Sequence, residues 1–285
     1  MKRLFTFGCS FTYYGAIPTY PWFLAKNFDE SYNFGMPGGG NEYVFHSLIE
    51  ADSQFNLTSD DTVIIVWTGI FRIDMPRKQP IDNNYNYIWE GNGDWEYYQG
   101  KLTQIKQFYT EDFLIHKTFN YIAMAKRYLE AKKINYKFSS IYDLRIESHP
   151  LANEIYDDNF IEKMGLVRYI IEYNQPRIAK NIPVFSGHPS FSVQYKFAKL
   201  FAKSLSIALP DEVDEWRKLE ETIHIEQNVY DRYEVIKKHP LYNKVYENLV
   251  RRYNIDNYHR IFPNFFKFNK ESSNLYKQIL LDVFA

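Results

Sequence analysis

Ser10 stands where an α/β fold can present a nucleophile. Residues 4–7 form an apolar run that is typical of a buried strand, and Gly8 lets the backbone turn sharply directly after it. A serine at the carboxyl end of a strand lies beside the N–H groups of a helix end, which favour developing negative charge. The same serine also suits the cap of a helix that begins near Tyr13, and this stretch alone leaves both roles open.

Three further loops are expected at the same edge of the sheet. Residues 35–40 hold four glycines and a proline, and Asn41 is a good cap for the helix that follows. Residues 67–69 directly follow an apolar strand. Because the carboxyl ends of parallel strands share one edge, we expect these loops to converge on Ser10, with the later loop at 186–190 closing the site from the side.

The stretches between these loops predict an α/β fold. Strand and helix patterns alternate as βαβαβ up to residue 67, which implies a parallel sheet with right-handed crossovers. We therefore predict a three-layer α/β/α sandwich with a mainly parallel sheet. The predicted strands are residues 4–7, 32–34, 63–67 and 134–139, and the predicted helices are residues 20–28, 41–51, 112–131, 159–166 and 193–205.

Two segments depart from this alternation. Residues near 77–109 combine turn residues with many Tyr and Trp, and we expect an inserted loop or irregular hairpin beside the strand ends. Residues 211–252 are mostly helical by charge and apolar spacing, with Pro240 as an interruption. We divide the chain into an α/β domain at 1–205, which contains the aromatic insertion, and a helical C-terminal extension at 206–285.

Charge and cysteine content exclude several function classes. A net charge of −1 and a pI near 6.7 give the whole chain no field that attracts nucleic acid or an anionic membrane, so we predict neither partner. Cys9 is the single cysteine, which excludes an internal disulfide and a Cys-rich zinc site. The histidines are scattered without ligand spacing, so we predict no metal and no cofactor. Since there is neither an apolar run of about 20 residues nor a signal-peptide pattern, we expect a protein that is cytoplasmic where it is made.

Aromatic residues make up 19% of the chain. Tyrosine and tryptophan combine an apolar face with a polar edge, which suits sugar rings and protein interfaces. An AT-rich genome would produce a similar Asn, Lys, Ile and Tyr-rich composition. The aromatic content therefore leaves a ligand role and a purely compositional origin open.

Three short blocks, in order along the chain, resemble those of the SGNH/GDSL-type hydrolases. The family's first block, Gly-Asp-Ser followed by a glycine, is matched by residues 8–10 and Gly15. Its second block, Asn-x-Gly-x-x-Gly, is matched by residues 33–38, and its last, a His-Pro pair, by residues 188–189. The phrase TFGCSFT is also similar to SGNH-like proteins encoded by marine bacteriophages. The resemblance covers about residues 1–205 and implies a flavodoxin-like sandwich.

The resemblance implies a role for each of these residues. Ser10 would attack an ester carbonyl and His188 would take its proton, while the N–H groups of Ser10 and Gly38 would stabilise the oxyanion. Gly38 would also shape its turn. We therefore predict a serine esterase that removes acyl groups. The aromatic insertion and the family analogy point to O-acetyl groups of a carbohydrate.

The oxyanion hole departs from the family pattern at one position. Gly69 stands where the family has an asparagine donor, and we consider Asn41 as its substitute in the oxyanion hole. Cys9 replaces the aspartate that usually precedes the serine. We expect Cys9 to be a buried packing residue. A nucleophilic Cys9 paired with His188 is the alternative.

The group that orients His188 is also different. Phe185 stands where the family has an aspartate, so a backbone carbonyl or a distant carboxylate must hold the histidine tautomer. The candidate carboxylates are Asp74, Asp82 and Asp143. Arg72 and Asp74 follow the third strand, where they either bind a polar group of the substrate or form a surface ion pair.

Two other functions are compatible with the same residues. An O-acyltransferase would use the same serine and histidine, because an acyl-enzyme can be resolved by an alcohol as well as by water. A catalytically degenerate SGNH scaffold would instead act as a glycan- or protein-binding module. The similarity to phage-encoded proteins implies that such a module is a phage particle component, with a protein partner or the virion bound through the C-terminal extension.

Overall fold

Parallel strands form the centre of a mixed α/β fold. The computed structural model describes residues 1–13, 18–81, 84–94, 110–167, 189–222, 238–242, 266–268 and 270–284. The strands are β1 (Arg3–Gly8), β2 (Glu30–Gly35), β3 (Thr62–Trp67), β4 (Arg72–Ile81), β5 (Asn84–Asp94), β6 (Asn135–Ser140) and β7 (Phe266–Phe268). The helices are α1 (Tyr20–Ala25), α2 (Asn41–Phe55), α3 (Glu111–Ala131), α4 (Ala152–Ile155), α5 (Phe191–Ser204), α6 (Val213–Thr222) and α7 (Lys270–Phe284).

The main sheet has the strand order β6-β3-β1-β2-β7. β1, β2, β3 and β6 are parallel, whereas β7 is antiparallel to its neighbour β2. The chain adds β2 on one side of β1 and then crosses to add β3 and β6 on the other side. This reversal is a topological switch point, and ligands of open parallel sheets commonly bind in the crevice beyond it. Ser10 and Thr68 follow the two strands that border this point.

Side chains of the central strands alternate between two apolar clusters, as the two-residue period of a strand requires. Phe5 and Phe7 of β1 belong to a cluster that includes residues of α2, α3 and α4. Leu4 belongs to the other cluster, with residues of α1, α5, α6 and α7. All six residues of β3 are buried, as its continuous apolar run predicted, because its side chains enter both clusters. The arrangement is compatible with an α/β sandwich.

Most predicted strands and helices are confirmed, but the helix at 159–166 is wrong. Residues 159–165 form turns and one parallel bridge between Phe160 and Phe138 of β6, and helical backbone begins at residue 166. The Phe138 N–H donates to the Asn159 carbonyl and the Ile161 N–H donates to the Phe138 carbonyl, both at 2.8 Å. An edge strand leaves its backbone groups without partners, and this segment supplies them to β6.

The first part of the predicted aromatic insertion is a β-hairpin. β4 and β5 pair antiparallel along their length, with a register shift between Arg72 and Ile73. The pairing confirms a hairpin near the strand ends, and it begins five residues before residue 77, at Arg72. The remaining residues of the insertion, 95–109, lie outside the described part of the chain.

The segment predicted as a helical extension contributes to the main sheet and to its core. β7 pairs with β2, so the segment includes a strand as well as helices. Trp216 of α6 packs edge-to-face against Trp22 and Phe23 of α1, with ring centroids 5.7 and 5.0 Å apart. Tyr276 of α7 lies 5.9 Å from the Trp22 ring. The boundary at residue 205 stays a prediction.

We expect Trp216→Ala to lower the free energy of unfolding of the whole protein by about 3–5 kcal/mol, because it opens a cavity beside Trp22 and Phe23. Guanidinium denaturation followed by circular dichroism measures this change. Leu281→Ala on α7 is the matched control, since Leu281 is 40% exposed and its truncation should cost less than about 1 kcal/mol. If Trp216→Ala unfolds at the same guanidinium concentration as the wild type, α6 and α1 do not share a core.

Candidate active site

Ser10 lies in a tight turn directly after β1. The backbone N–H groups of Thr12 and Tyr13 both donate to the Cys9 carbonyl, at 2.9 and 2.8 Å. Cys9 is fully buried, as expected of a packing residue, whereas Ser10 is half-buried and keeps contact with solvent. Within the described residues, the side-chain partner of Ser10 Oγ is Cys9 Sγ at 3.8 Å. Residues 10–12 form a turn, and the first described helix begins at Tyr20, so a cap role for Ser10 is not seen there.

The end of β2 is shaped to receive this turn. Asn33 is buried, and its Nδ2 donates to the Thr12 carbonyl at 2.7 Å while its Oδ1 accepts from the Gly35 N–H at 2.9 Å. Gly35 has no room for a side chain, because a Cβ there would lie 2.6 Å from the Cα of Tyr13. The Asn-x-Gly spacing therefore has a packing role: it fixes the Ser10 turn against the second strand.

Gly38 occupies a turn position that favours glycine. Its φ is 74°, and the Gly39 N–H donates to the Met36 carbonyl at 2.9 Å. A turn with Pro37 before a residue of positive φ is a type II turn. The geometric role predicted for Gly38 is confirmed. Donation from its N–H to an oxyanion stays a prediction.

Asn41 ties the second loop to the third. Its Oδ1 accepts from the Thr68 N–H at 2.7 Å, and its Nδ2 donates to the Thr68 carbonyl and to Thr118 Oγ1, both at 3.2 Å. Asn41 is the first residue of α2 rather than its cap, because the N-cap is Gly40, so the predicted capping role is wrong. Its predicted role in the oxyanion hole would require the amide to release one of these buried acceptors.

Asp74 caps α2 from a different element. Its Oδ1 accepts from the Gly40 N–H at 2.6 Å and its Oδ2 from the Tyr43 N–H at 2.8 Å. Arg72 Nη1 donates to the Gly39 carbonyl at 3.1 Å. Asp74 is buried, so the predicted surface ion pair is wrong. Sequence reasoning missed this contact because Asp74 lies 34 residues from Gly40, whereas capping signals are local.

Burial raises the pKa of Asp74 to about 6. The two N–H donors oppose this shift, since they favour the charged carboxylate. Glu42 of α2 raises the pKa further and Lys117 of α3 lowers it, and these two residues form an ion pair with each other. Asp74 is therefore a carboxylate at neutral pH that becomes neutral under mildly acidic conditions.

Gly69 leaves the third loop without a side-chain donor at the position where the family has asparagine. A Cβ at Gly69 would meet the ring of Tyr142, with its Cδ2 at 3.2 Å. Tyr142 follows β6, and its carbonyl accepts from Ser140 Oγ at 2.7 Å. At this position an oxyanion would therefore depend on backbone N–H groups or on another side chain such as the Asn41 amide.

Two of the three carboxylates considered for orienting His188 have other partners. Asp74 is held by α2, as described above. Asp143 is exposed and accepts from the Arg145 guanidinium, which lowers the pKa of Asp143. Asp82 lies outside the described residues, and so does His188.

Helix α5 brings the chain that follows His188 to the Ser10 turn. Gln194, one turn into α5, is buried. Its Oε1 accepts from the Tyr20 N–H at 3.0 Å, and its Nε2 donates to the Phe11 carbonyl at 3.3 Å. Phe11 is the residue after Ser10. The Ser10–His188 pairing itself stays a prediction.

A histidine pair lies on the α3 side of the molecule. His149 Nε2 is 2.8 Å from His116 Nδ1, and the Leu151 N–H donates to His149 Nδ1 at 3.2 Å. Since Nδ1 accepts, neutral His149 donates through Nε2. Burial lowers the pKa of His149. Over the described ranges, no three His, Cys, Asp or Glu side chains gather where a metal ion could bind.

Comparisons with known proteins leave the motif resemblance to be tested by experiment. No protein-family model, curated protein or solved structure matches the chain. No helix of the described part is long and apolar enough to cross a bilayer. The SGNH resemblance therefore rests on the sequence blocks at 8–10, 33–38 and 188–189.

We expect Gly35→Ala to lower the free energy of unfolding by about 3 kcal/mol, because the new methyl group would displace the backbone of Tyr13. Urea denaturation measures the loss. Gly69→Ala is the matched control at the same sheet edge, since its methyl group would meet a flexible ring and should cost less than about 1 kcal/mol. Equal losses in the two variants would contradict the close approach at Gly35.

Proposed function

We propose that this protein is a serine esterase of SGNH type, with O-acetyl groups of a carbohydrate as its substrate class. We also propose that its helices and sheet form a three-layer α/β/α sandwich with a C-terminal helical extension. The observation that carries the proposal is the position of Ser10. It is half-buried, it lies in a turn at the carboxyl end of β1, and it borders the switch point of the parallel sheet.

The start of α5 supports a pairing of Ser10 with His188. Gln194 binds the Phe11 carbonyl, which anchors the first turn of α5 beside the residue that follows Ser10. His188 precedes Phe191, the first residue of α5, by three positions, and three residues of chain span at most about 11 Å. The contact between α5 and Phe11 supports the proposed pairing, and His188 itself lies outside the described residues.

The proposed reaction proceeds through an acyl-enzyme. Ser10 Oγ attacks the ester carbonyl as His188 takes the hydroxyl proton, and the oxyanion is held by the backbone N–H groups of Ser10 and Gly38. The C–O bond to the sugar then breaks, and His188 returns the proton to the leaving alkoxide. Water, activated by His188, attacks the acyl-enzyme and releases acetate and free Ser10.

We propose that a backbone carbonyl or a carboxylate orients His188. Asp74 already accepts from the Gly40 and Tyr43 N–H groups and Asp143 is paired with Arg145, which favours a backbone carbonyl. A carbonyl acceptor still fixes the tautomer, because it binds the Nδ1 proton and leaves Nε2 free to accept.

We expect the wild-type protein to release p-nitrophenol from p-nitrophenyl acetate, and Ser10→Ala to reduce kcat by at least about 1,000-fold because the nucleophile is lost. Labelling by a fluorophosphonate probe, read by intact mass, reports the same residue without turnover. Ser148→Ala, which removes an exposed hydroxyl, is the matched control and should keep both activity and labelling. Cys9→Ala should also keep both, because Cys9 is fully buried.

Unchanged activity in Ser10→Ala would rule out Ser10 as the nucleophile. Loss of activity in Cys9→Ala but not in Ser10→Ala would transfer the nucleophile to Cys9. Activity that depends on an alcohol acceptor, with little hydrolysis in water, would identify an O-acyltransferase that uses the same site.

The second candidate function is a catalytically degenerate scaffold that binds a glycan or a protein partner, or that is a component of a phage particle. Three observations favour it: Gly69 supplies no side-chain donor, the Asn41 amide is engaged with Thr68 and Thr118, and Asp74 is committed to α2. A folded wild-type protein that is neither labelled nor active, together with a glycan or partner recovered in a pull-down, would support this alternative.

A further inference from the structure

We propose that Asp74 is a positioning residue of the proposed site: its charged carboxylate holds the loop of residues 38–40 in place, and its protonation releases that loop. This inference rests on the proposed function, because it assigns a role in catalysis to the loop that carries the Gly38 N–H. Asp74 acts through the loop and does not contact substrate.

The carboxylate makes two short contacts with the loop and the helix that follows it. Oδ1 accepts from the Gly40 N–H at 2.6 Å, and Oδ2 accepts from the Tyr43 N–H at 2.8 Å. Both carboxylate oxygens thus accept a hydrogen bond, and the two N–H donors flank Asn41 and Glu42 in the chain. The carboxylate therefore fixes the direction in which the chain enters α2.

The loop is shaped around this carboxylate. A Cβ at Gly40 would lie 2.6 Å from Oδ2 and 3.0 Å from the carboxyl carbon, so glycine is what allows the approach. Arg72 Nη1 binds the neighbouring Gly39 carbonyl at 3.1 Å. Two residues at the start of β4 therefore hold the loop: Asp74 binds the Gly40 N–H and Arg72 binds the Gly39 carbonyl. Both contacts lie within two residues of Gly38.

Protonation removes one of the two acceptors. A neutral carboxyl group carries a hydroxyl on one oxygen, which is a poor acceptor for an N–H that points at it. The charged groups that act on Asp74 are Glu42 of α2 and Lys117 of α3, while Arg72 of its own strand binds the Gly39 carbonyl. Burial together with Glu42 places the pKa of Asp74 at about 6, so the change falls within reach of ordinary assays.

The test compares wild type, Asp74→Asn and Asp60→Asn between pH 5 and pH 8. At pH 8 we expect Asp74→Asn to lower kcat per fluorophosphonate-titrated site by about 10- to 100-fold with little change in KM, because the Gly38 N–H is displaced from the transition state. The ratio of wild-type to Asp74→Asn kcat should shrink toward one below pH 6. Titrations that the two proteins share cancel in this ratio, so the ratio isolates Asp74.

Amide hydrogen exchange tests the same contact without any turnover. After correction for intrinsic rates, the Gly40 and Tyr43 amides of wild type should exchange about 10-fold faster at pH 5 than at pH 8. In Asp74→Asn they should exchange fast at both pH values. Asp60→Asn removes an exposed carboxylate in the loop before β3 and should match wild type in exchange and in kcat.

Equal kcat per titrated site in wild type and Asp74→Asn at pH 8 would overturn the inference. Equal exchange rates of the Gly40 and Tyr43 amides in the two proteins at pH 8 would overturn it as well. If Asp74→Asn does not fold, the wild-type pH series decides, because exchange that does not change between pH 8 and pH 5 would overturn it. An inactive wild type would overturn the proposed function and the catalytic part of this inference. The exchange measurement would still decide whether Asp74 holds the loop.

Discussion

The contact between the Ser10 turn and the end of β2 is the constraint on which the candidate site depends. Asn33 binds the backbone of Thr12, and Gly35 leaves the space that Tyr13 occupies. β1 and β2 pair in register up to Gly8 and Gly35, so the two loops leave the sheet side by side. Without this approach the serine would follow the strand with no fixed relation to the glycine loop.

The ionised carboxylate of Asp74 lowers the stability of the folded protein but also holds the loop before α2 in place. Because its pKa is about 6 in the folded protein and near 4 in an unfolded chain, the folded protein binds this proton more tightly. The contribution of Asp74 to stability is therefore fully present below pH 4 and is lost as the pH rises through 6, by roughly 3 kcal/mol. Ionisation weakens the fold, yet only the ionised form offers two acceptors to α2. Perturbed carboxyl groups of this kind are concentrated at functional sites.

Many of the aromatic residues pack in the hydrophobic core. Trp22, Phe23, Trp216 and Tyr276 pack edge-to-face between α1 and the two C-terminal helices. Such pairs add to the burial of large apolar surface, which explains part of the high aromatic content without reference to a substrate. The C-terminal segment also adds β7 to the sheet beside β2. β2, which contacts the Ser10 turn, is therefore itself paired with a strand from the C-terminal segment.

The sequence by itself determined the parallel strands and most of the helices, because strand and helix periodicities and turn residues are local signals. It also determined where Ser10 and the turn at Gly38 lie, since both follow directly from a strand end and a Pro-Gly pair. Tertiary structure alone decided that Asp74 caps α2, that Asn41 binds Thr68, and that residues 159–161 pair with β6 instead of forming a helix. Each of these contacts joins backbone groups to residues distant in sequence. Their partners depend on which strand edges and helix ends lie together in the folded chain. A local sequence pattern does not contain that information.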